Sequence, residues 1–141
     1  MVDVHSPKVR SKNMRAIRSK DTTPELIVRR HLYQRGFRYR LHRRDLPGRP
    51  DITLTKYQAV IFVNGCFWHG HDCKFFKLPK TNTPFWDEKI TATRERDKKN
   101  ITLLRSVNWR IFIIWECELR GVDKSKIAKK MDLLASRIRK V

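Results

Sequence analysis

The sequence predicts a single α/β domain, and three observations predict it. The chain has 141 residues, enough for one domain with a real core. Two near-continuous apolar runs, 59–63 and 109–115, carry the β-branched and aromatic residues of buried strands. Three stretches, starting near 22, 87 and 124, carry cap signals or apolar residues at helical spacing. No internal repeat and no long linker divides the chain. The expected organisation is an arm over 1–20 and one domain over 21–141.

The arm is polar and basic. Lys8, Arg10, Lys12, Arg15, Arg18 and Lys20 stand against one acid, Asp3, while Met14 and Ile17 sit three apart among them. Two readings stay open: a solvated basic arm, or a segment that orders on a polyanion with Met14 and Ile17 in a groove. The whole chain has a formal net charge of +19, which favours a polyanionic partner. No apolar stretch reaches membrane length and no basic-then-apolar start marks an export signal. Nucleic acid and an intracellular home are therefore expected, with no membrane partner.

The first helix is signalled by Thr22-Thr23-Pro24-Glu25, a cap with proline in the first turn, and Thr22 with Glu25 fits a capping box. Leu26, Ile27, Val28, Leu32 and Tyr33 supply its expected buried side, and Gly36 its stop. Residues 37–42 alternate apolar and basic, as an antiparallel strand with one wet, positive face. The turn Leu46-Pro47-Gly48-Arg49-Pro50 delivers Asp51 to the head of a strand over 52–54. The central strand is expected over 57–64. That hairpin brings Asp51 near its far end.

Residues 75–86 read as a loop with two prolines and the aromatics Phe75, Phe76, Phe85 and Trp86. A long polar helix is expected over 87–107, with Ile90, Ile101 and Leu104 as its apolar stripe. The run 109–115 reads as a strand covered on both faces. A last helix from about Lys124 carries Ile127, Met131, Leu134 and Ile138 on one side. Lys126, Lys129, Lys130, Arg137 and Lys140 on the other side read as a solvated face.

One run concentrates the chemistry: Asn64-Gly65-Cys66-Phe67-Trp68-His69-Gly70-His71-Asp72-Cys73. Cys66, His71 and Cys73, with the distant Cys117, could form a closed tetrahedral Cys3His site of the structural zinc type. The alternative is three inert buried cysteines. Without an export signal a disulfide is not expected. His69 and Asp51 stand outside the set. Pro50-Asp51 at a strand head matches the first half of the restriction-endonuclease pattern, in which a carboxylate holds Mg2+ and a Glu-x-Lys follows on the next strand. The corresponding residues here are Phe62-Val63-Asn64, so the lysine is missing. His69 is placed to handle the proton instead. Phe67 and Trp68, adjacent and flanked by glycines, are harder to bury together than to expose.

These blocks together carry a resemblance. Arg10-Ser11-Lys12-Asn13-Met14-Arg15-Ala16-Ile17, Leu46-Pro47-Gly48-Arg49-Pro50-Asp51, Gly65-Cys66-Phe67-Trp68-His69 and Trp115-Glu116-Cys117 resemble the very short patch repair (Vsr) endonuclease family over nearly the whole chain. The resemblance implies a restriction-endonuclease-like fold: a mixed central sheet flanked by helices, with a structural zinc site. It implies a Mg2+-dependent hydrolase that nicks one strand of double-stranded DNA 5′ of the T in a T·G mismatch, left by deamination of 5-methylcytosine. Asp51 and the backbone carbonyl of Val63 would hold Mg2+, His69 would activate water, and Glu25 and Asp97 would lie in the same site. Asn64 stands where some members have histidine. Phe67, Trp68 and Trp86 would wedge between bases, with Met14 and Ile17 in the opposite groove and Lys89 near the mismatched pair. A monomer acting in a prokaryotic cytoplasm or nucleoid is implied. Two other classes are weighed beside it: a restriction-like nuclease or nickase of other specificity, and a zinc-stapled DNA-binding module without catalysis. The latter would need neither Asp51 nor His69.

Overall fold

The structure, a computed structural model, describes residues 21–140. The arm with Met14 and Ile17 lies outside the described residues. Helix α1 spans Thr23–Gln34. Thr22 caps it by accepting the Glu25 N–H at 3.4 Å, with Pro24 in the first turn. Only half of the expected capping box forms, because the Glu25 side chain turns inward to tertiary partners. Gly36, at φ +89°, ends the helix. The Phe37 N–H bonds Leu32 O and the Gly36 N–H bonds Tyr33 O, both at 3.0 Å, which is a Schellman closure. Val28 and Leu32 are buried as expected, but Leu26 is 43% and Tyr33 56% exposed. The expected apolar face was too wide for a helix that meets its neighbours along one narrow stripe.

Strand β1 (Arg40–Leu41), β2 (Ile52–Leu54), β3 (Ala59–Asn64) and β4 (Arg110–Trp115) form one mixed sheet in the order β1-β2-β3-β4. The first two pairings are antiparallel and β3 pairs β4 in parallel. β1 is much shorter than the alternation 37–42 suggested. Phe37 leaves the ladder to enter the core, and His42, at φ +49°, breaks the strand at the other end. The first residues expected in β3 form a 3-10 turn, Thr55–Tyr57, followed by a left-handed Gln58.

Helix α2 spans Thr83–Ser106 and crosses from β3 to β4. It begins four residues before the expected start. Pro84 is an N-terminal signal here, not a loop signal, so Phe85 and Trp86 sit in the first turn of the helix. β4 differs too: all six of its residues are only half-buried, because it has no strand on its outer side among the described residues. An apolar run reads the same whether the strand is central or at an edge. Helix α3 spans Lys124–Arg139 and buries Ile127, Met131, Leu134 and Ile138, as the spacing predicts.

Alternation divides the sheet. Ile52, Leu54, Ala59, Ile61 and Val63 face one core with Val28 and Leu32 of α1 and the α3 stripe. Thr53, Val60, Phe62 and Asn64 face the other side. Arg35 joins α1 to α3 through the Asp132 carboxylate (2.8 Å) and the Ala128 carbonyl (3.2 Å).

Arg110 fastens the end of α3. Its guanidinium donates to the carbonyls of Arg137 (3.2 Å), Lys140 (3.1 Å), Ile138 (2.6 Å) and Tyr57 (3.0 Å). Helix-terminal carbonyls lack intrahelical partners, and a cation there also meets the helix dipole. Arg110→Ala is expected to lower stability by about 2–3 kcal/mol in urea unfolding. Arg110→Lys should recover less than half of it, because an ammonium cannot fork to carbonyls on two elements.

Candidate active site and metal centre

The hairpin between β1 and β2 sets Asp51. Gly48 and Arg49 both take positive φ (+77° and +47°), turning the chain so that Pro50-Asp51 enters β2. The Asp51 carboxylate then lies beside the end of β3, where its Oδ2 accepts the Val63 N–H at 2.7 Å. The side chain is buried, and burial pushes its carboxyl up to about 6. The Val63 N–H, and behind it His42, His69 and Arg29, pull the other way.

After β3 the chain makes a tight turn. The His69 N–H bonds Gly65 O (3.2 Å), the Gly70 N–H bonds Phe67 O (3.2 Å) and the His71 N–H bonds Cys66 O (2.9 Å). Gly70 has φ +61°, and a Cβ there would lie 2.6 Å from Ile90 Cγ2 and 2.7 Å from Arg94 Nε. Only glycine lets this turn press onto α2, where Arg94 donates to the Gly70 carbonyl. The approach brings His69 Nδ1 to 2.6 Å from Asp97 Oδ2. An ionised carboxylate only accepts, so Nδ1 carries the proton and Nε2 is left as an acceptor.

Asp51, Asn64 and His69 line one cleft of about 770 Å3, with Val63, Phe67, Trp68 and Lys89 also on its wall. Asn64 is 8% exposed and also borders a second cavity of about 380 Å3 behind the His69–Asp97 pair. Glu25 is elsewhere. It lies 1% exposed under the cleft, held by Arg29 and by His42 Nε2 at 3.0 and 3.1 Å.

The aromatic residues gather at one lip. Phe67 meets Trp68 edge-on at 5.1 Å and Trp86 at 5.5 Å, and Trp68 lies 5.9 Å from Trp86. Lys89 Nζ stands 5.7 Å from the rings of Trp68 and Trp86 and 5.9 Å from Phe85. None of these four rings is in the core; Phe67, Trp68 and Trp86 are half-buried and Phe85 is exposed.

The four sulfur and nitrogen ligands converge. The donor atoms of Cys66, His71, Cys73 and Cys117 all lie within 4.8 Å of one another. Cys117 Sγ is 3.5 Å from His71 Nδ1. A tetrahedral zinc ion with ordinary bond lengths would separate S and N ligands by about 3.6 Å, so the spacing fits. Cys66 Sγ accepts the Cys117 N–H at 3.3 Å, and the His71 ring stacks on Trp115 at 4.0 Å and 8°. Burial pushes the Cys66 thiol up to about 12, an effect that a dication among the ligands would reverse.

Sequence reasoning missed His42, Arg29 and Trp115. Its one signal for His42 was position: the residue lies level with Asp51 across the β1–β2 hairpin, and its N–H bonds Asp51 O at 3.2 Å.

The raised Asp51 value has a consequence for stability. Its folded value, about 6, exceeds the model-peptide value of 3.8, so the folded state favours the protonated carboxyl. The contribution is complete below about 4 and is lost as pH rises through 6. In EDTA, Asp51→Asn should therefore melt higher than the parent chain at pH 7, and the gap in Tm should shrink towards pH 4. Asparagine keeps an oxygen for the Val63 N–H. A gap independent of pH would contradict the burial argument.

Comparison with known proteins meets this geometry. The sequence profile of the family described as DNA mismatch endonuclease Vsr matches residues 2–75. The DNA mismatch endonuclease Vsr of Escherichia coli K12 is 48% identical over 124 residues, covering 88% of this chain and 80% of the relative. The type II nicking enzyme V.NmeAIP of Neisseria meningitidis is 47% identical, covering 86% of each chain. V.XorIIP of Xanthomonas oryzae pv. oryzae, also a type II nicking enzyme, is 47% identical over 84% of this chain and 88% of its own. With a mixed sheet, a Cys3His cluster and relatives this similar along most of its length, the chain belongs to the DNA mismatch endonuclease Vsr family.

Proposed function

We propose that this chain nicks the T strand of a T·G mismatch just 5′ of the T, using Asp51 to hold Mg2+ and His69 to activate water. One observation carries the reading: Asp51 and the His69–Asp97 pair share one cleft, whose lip carries the Phe67, Trp68 and Trp86 rings. A non-catalytic binder has no use for a buried carboxylate or for an imidazole aligned by a second carboxylate. The nicking enzymes among the relatives point the same way.

The residues fit the metal. One Asp51 oxygen is anchored by the Val63 N–H, and no hydrogen bond among the described residues occupies the other. Mg2+ takes hard oxygen ligands, so Asp51 and the Val63 carbonyl would hold it. When bound it would neutralise charge on the scissile phosphate. Asp97 keeps the proton on His69 Nδ1, so Nε2 can receive one from the attacking water. Asn64 lies beside His69 and can hydrogen-bond water or phosphate but cannot shuttle a proton near neutral pH. The second dication, zinc, would be structural, closed by Cys66, His71, Cys73 and Cys117.

Recognition follows from shape. Unstacking a base step costs a few kcal/mol, and less at a wobble pair. Phe67, Trp68 and Trp86 are already clustered at the lip, and Lys89 above them would approach the mismatched pair. The basic arm over 1–20, with Met14 and Ile17, would lie in the opposite groove of the duplex. The protein would act as a monomer.

The central test is a strand-labelled duplex carrying T·G, T·A or C·G at one position, in several flanking sequences, with Mg2+. Only T·G should be cut, on the T strand. Asp51→Asn and His69→Ala should abolish the cut yet bind DNA within about tenfold of the parent, roughly 1.4 kcal/mol. Equal cutting of all three duplexes would favour a restriction-like nuclease instead.

Metal analysis tests the other site. Elemental analysis should find one zinc per chain. Cys117→Ser should lower Tm sharply, because metal binding at such a site is itself folding free energy. Metal-free protein with the same Tm would refute the zinc assignment.

A further inference from the structure

Glu25 presents a difficulty. It is a buried carboxylate, 1% exposed, and it does not lie on the wall of the cleft. His42 does. The imidazole stands between the two, its Nε2 at 3.0 and 3.1 Å from the Glu25 oxygens. Its backbone N–H is bonded to Asp51 O at 3.2 Å, which ties its position to that of the cleft carboxylate. It is the second imidazole of the cleft, in a chain where position 64 is asparagine.

The hydrogen-bond inventory fixes what His42 can do. A carboxylate accepts, so at these distances Nε2 must donate. Arg29 Nη2, 3.5 Å from Nε2, is the more distant neighbour and is itself paired with Glu25 and Asp21. With the proton on Nε2, the neutral ring leaves Nδ1 as an acceptor. A phosphate oxygen has no proton to give it. A water molecule has. The arrangement repeats that of His69 and Asp97 with the nitrogens exchanged: there the carboxylate takes Nδ1–H, here Nε2–H.

We propose that His42 is a water-positioning residue of the nicking reaction and that Glu25 acts through it, holding the imidazole as the Nε2–H tautomer so that Nδ1 accepts from a water in the cleft. This rests on the nicking activity proposed above. Glu25 thereby needs no path of its own to the reacting phosphate, consistent with its burial. Arg29 neutralises the buried carboxylate and leaves the ring with a directional partner.

A double-mutant cycle tests the coupling. His42→Ala should lower kcat for nicking ten- to hundredfold, roughly the effect of a misplaced reacting group, with KM for the duplex little changed. Glu25→Gln should lower kcat in the parent background but cause no further loss in the His42→Ala background. His42→Gln should stay within about threefold of the parent, because one amide supplies both an N–H for Glu25 and an oxygen acceptor for water. It also guards against a misfolded alanine variant, since it keeps Glu25 paired. A readout independent of activity is the long-range 1H–15N spectrum of histidine-labelled protein in EDTA at pH 8. There His42 should carry its proton on Nε2 in the parent chain and become a tautomer mixture in Glu25→Gln.

Equal loss from Glu25→Gln in both backgrounds would overturn the proposal, as would parent-level kcat in His42→Ala or a proton on Nδ1. In each of those cases the parent chain still nicks T·G DNA, so the functional reading survives. A parent chain that nicks no duplex would overturn both.

Discussion

The parallel ladder between β3 and β4 is the constraint on which the rest depends. Its register runs from Ala59 opposite Arg110 to Asn64 opposite Trp115. Because the strands point the same way, both chains leave the sheet at one end. Cys66 follows Asn64 by two residues and Cys117 follows Trp115 by two, so the two sulfurs arrive together. An antiparallel pairing would have sent them to opposite ends. The same end receives Asp51, because β2 runs antiparallel to β3: Ile52 pairs with Ile61, and Asp51, one residue earlier, accepts the Val63 N–H. Ligand cluster, carboxylate and His69 turn are thus products of one strand arrangement.

The site is assembled against local preference. Asp51, Glu25 and Asn64 are buried polar side chains near one cleft. Gly70 sits at positive φ against α2, and His42 occupies the left-handed region, which a non-glycine residue seldom adopts. Each lowers stability relative to an apolar or relaxed alternative. On the other face of the sheet Ile52, Leu54 and Ile61 pack with Val28 and Leu32 of α1 and with the α3 stripe, and Glu25 lies on the same buried side of α1, three residues before Val28.

Much of this was legible because rare residue types carry their own chemistry. Three cysteines and a histidine at ligand spacing meet in space as the sequence suggested, and the α3 stripe buries as spaced. Asp51 reaches the end of β3 through a turn whose proline and glycine announced it. The failures have physical causes too. The start of α2 was hidden because a left-handed Asn82 and Pro84 look like loop residues until the helix forms behind them. β4 was read as covered on both faces because apolar content does not distinguish edge from interior. Its neighbours gave Glu25 only a cap, and the family resemblance alone put it in the site; its side chain is claimed by His42, seventeen positions distant. No local pattern encodes that approach. Asp97 stood out only through the family resemblance, being otherwise one acid in a charged helix, and the geometry that brings it to His69 depends on Gly70.

Lys89 above its three rings has a colloidal side. Phe85, 56% exposed, together with Trp68 and Trp86 makes an aromatic platform of the kind that adheres to its own copies. Here the platform carries a fixed ammonium at its centre, on a chain with net charge +19. Two such platforms approaching face to face bring like charges together before the rings can touch, while an incoming duplex brings the opposite sign. The positive field therefore sorts encounters as well as attracting them. Its range contracts with ionic strength, to about 3 Å at 1 M salt. Concentrated salt thus removes the barrier between protein molecules at the same time as the attraction for DNA, so this chain is best kept dispersed at the modest ionic strengths at which it can also find its substrate.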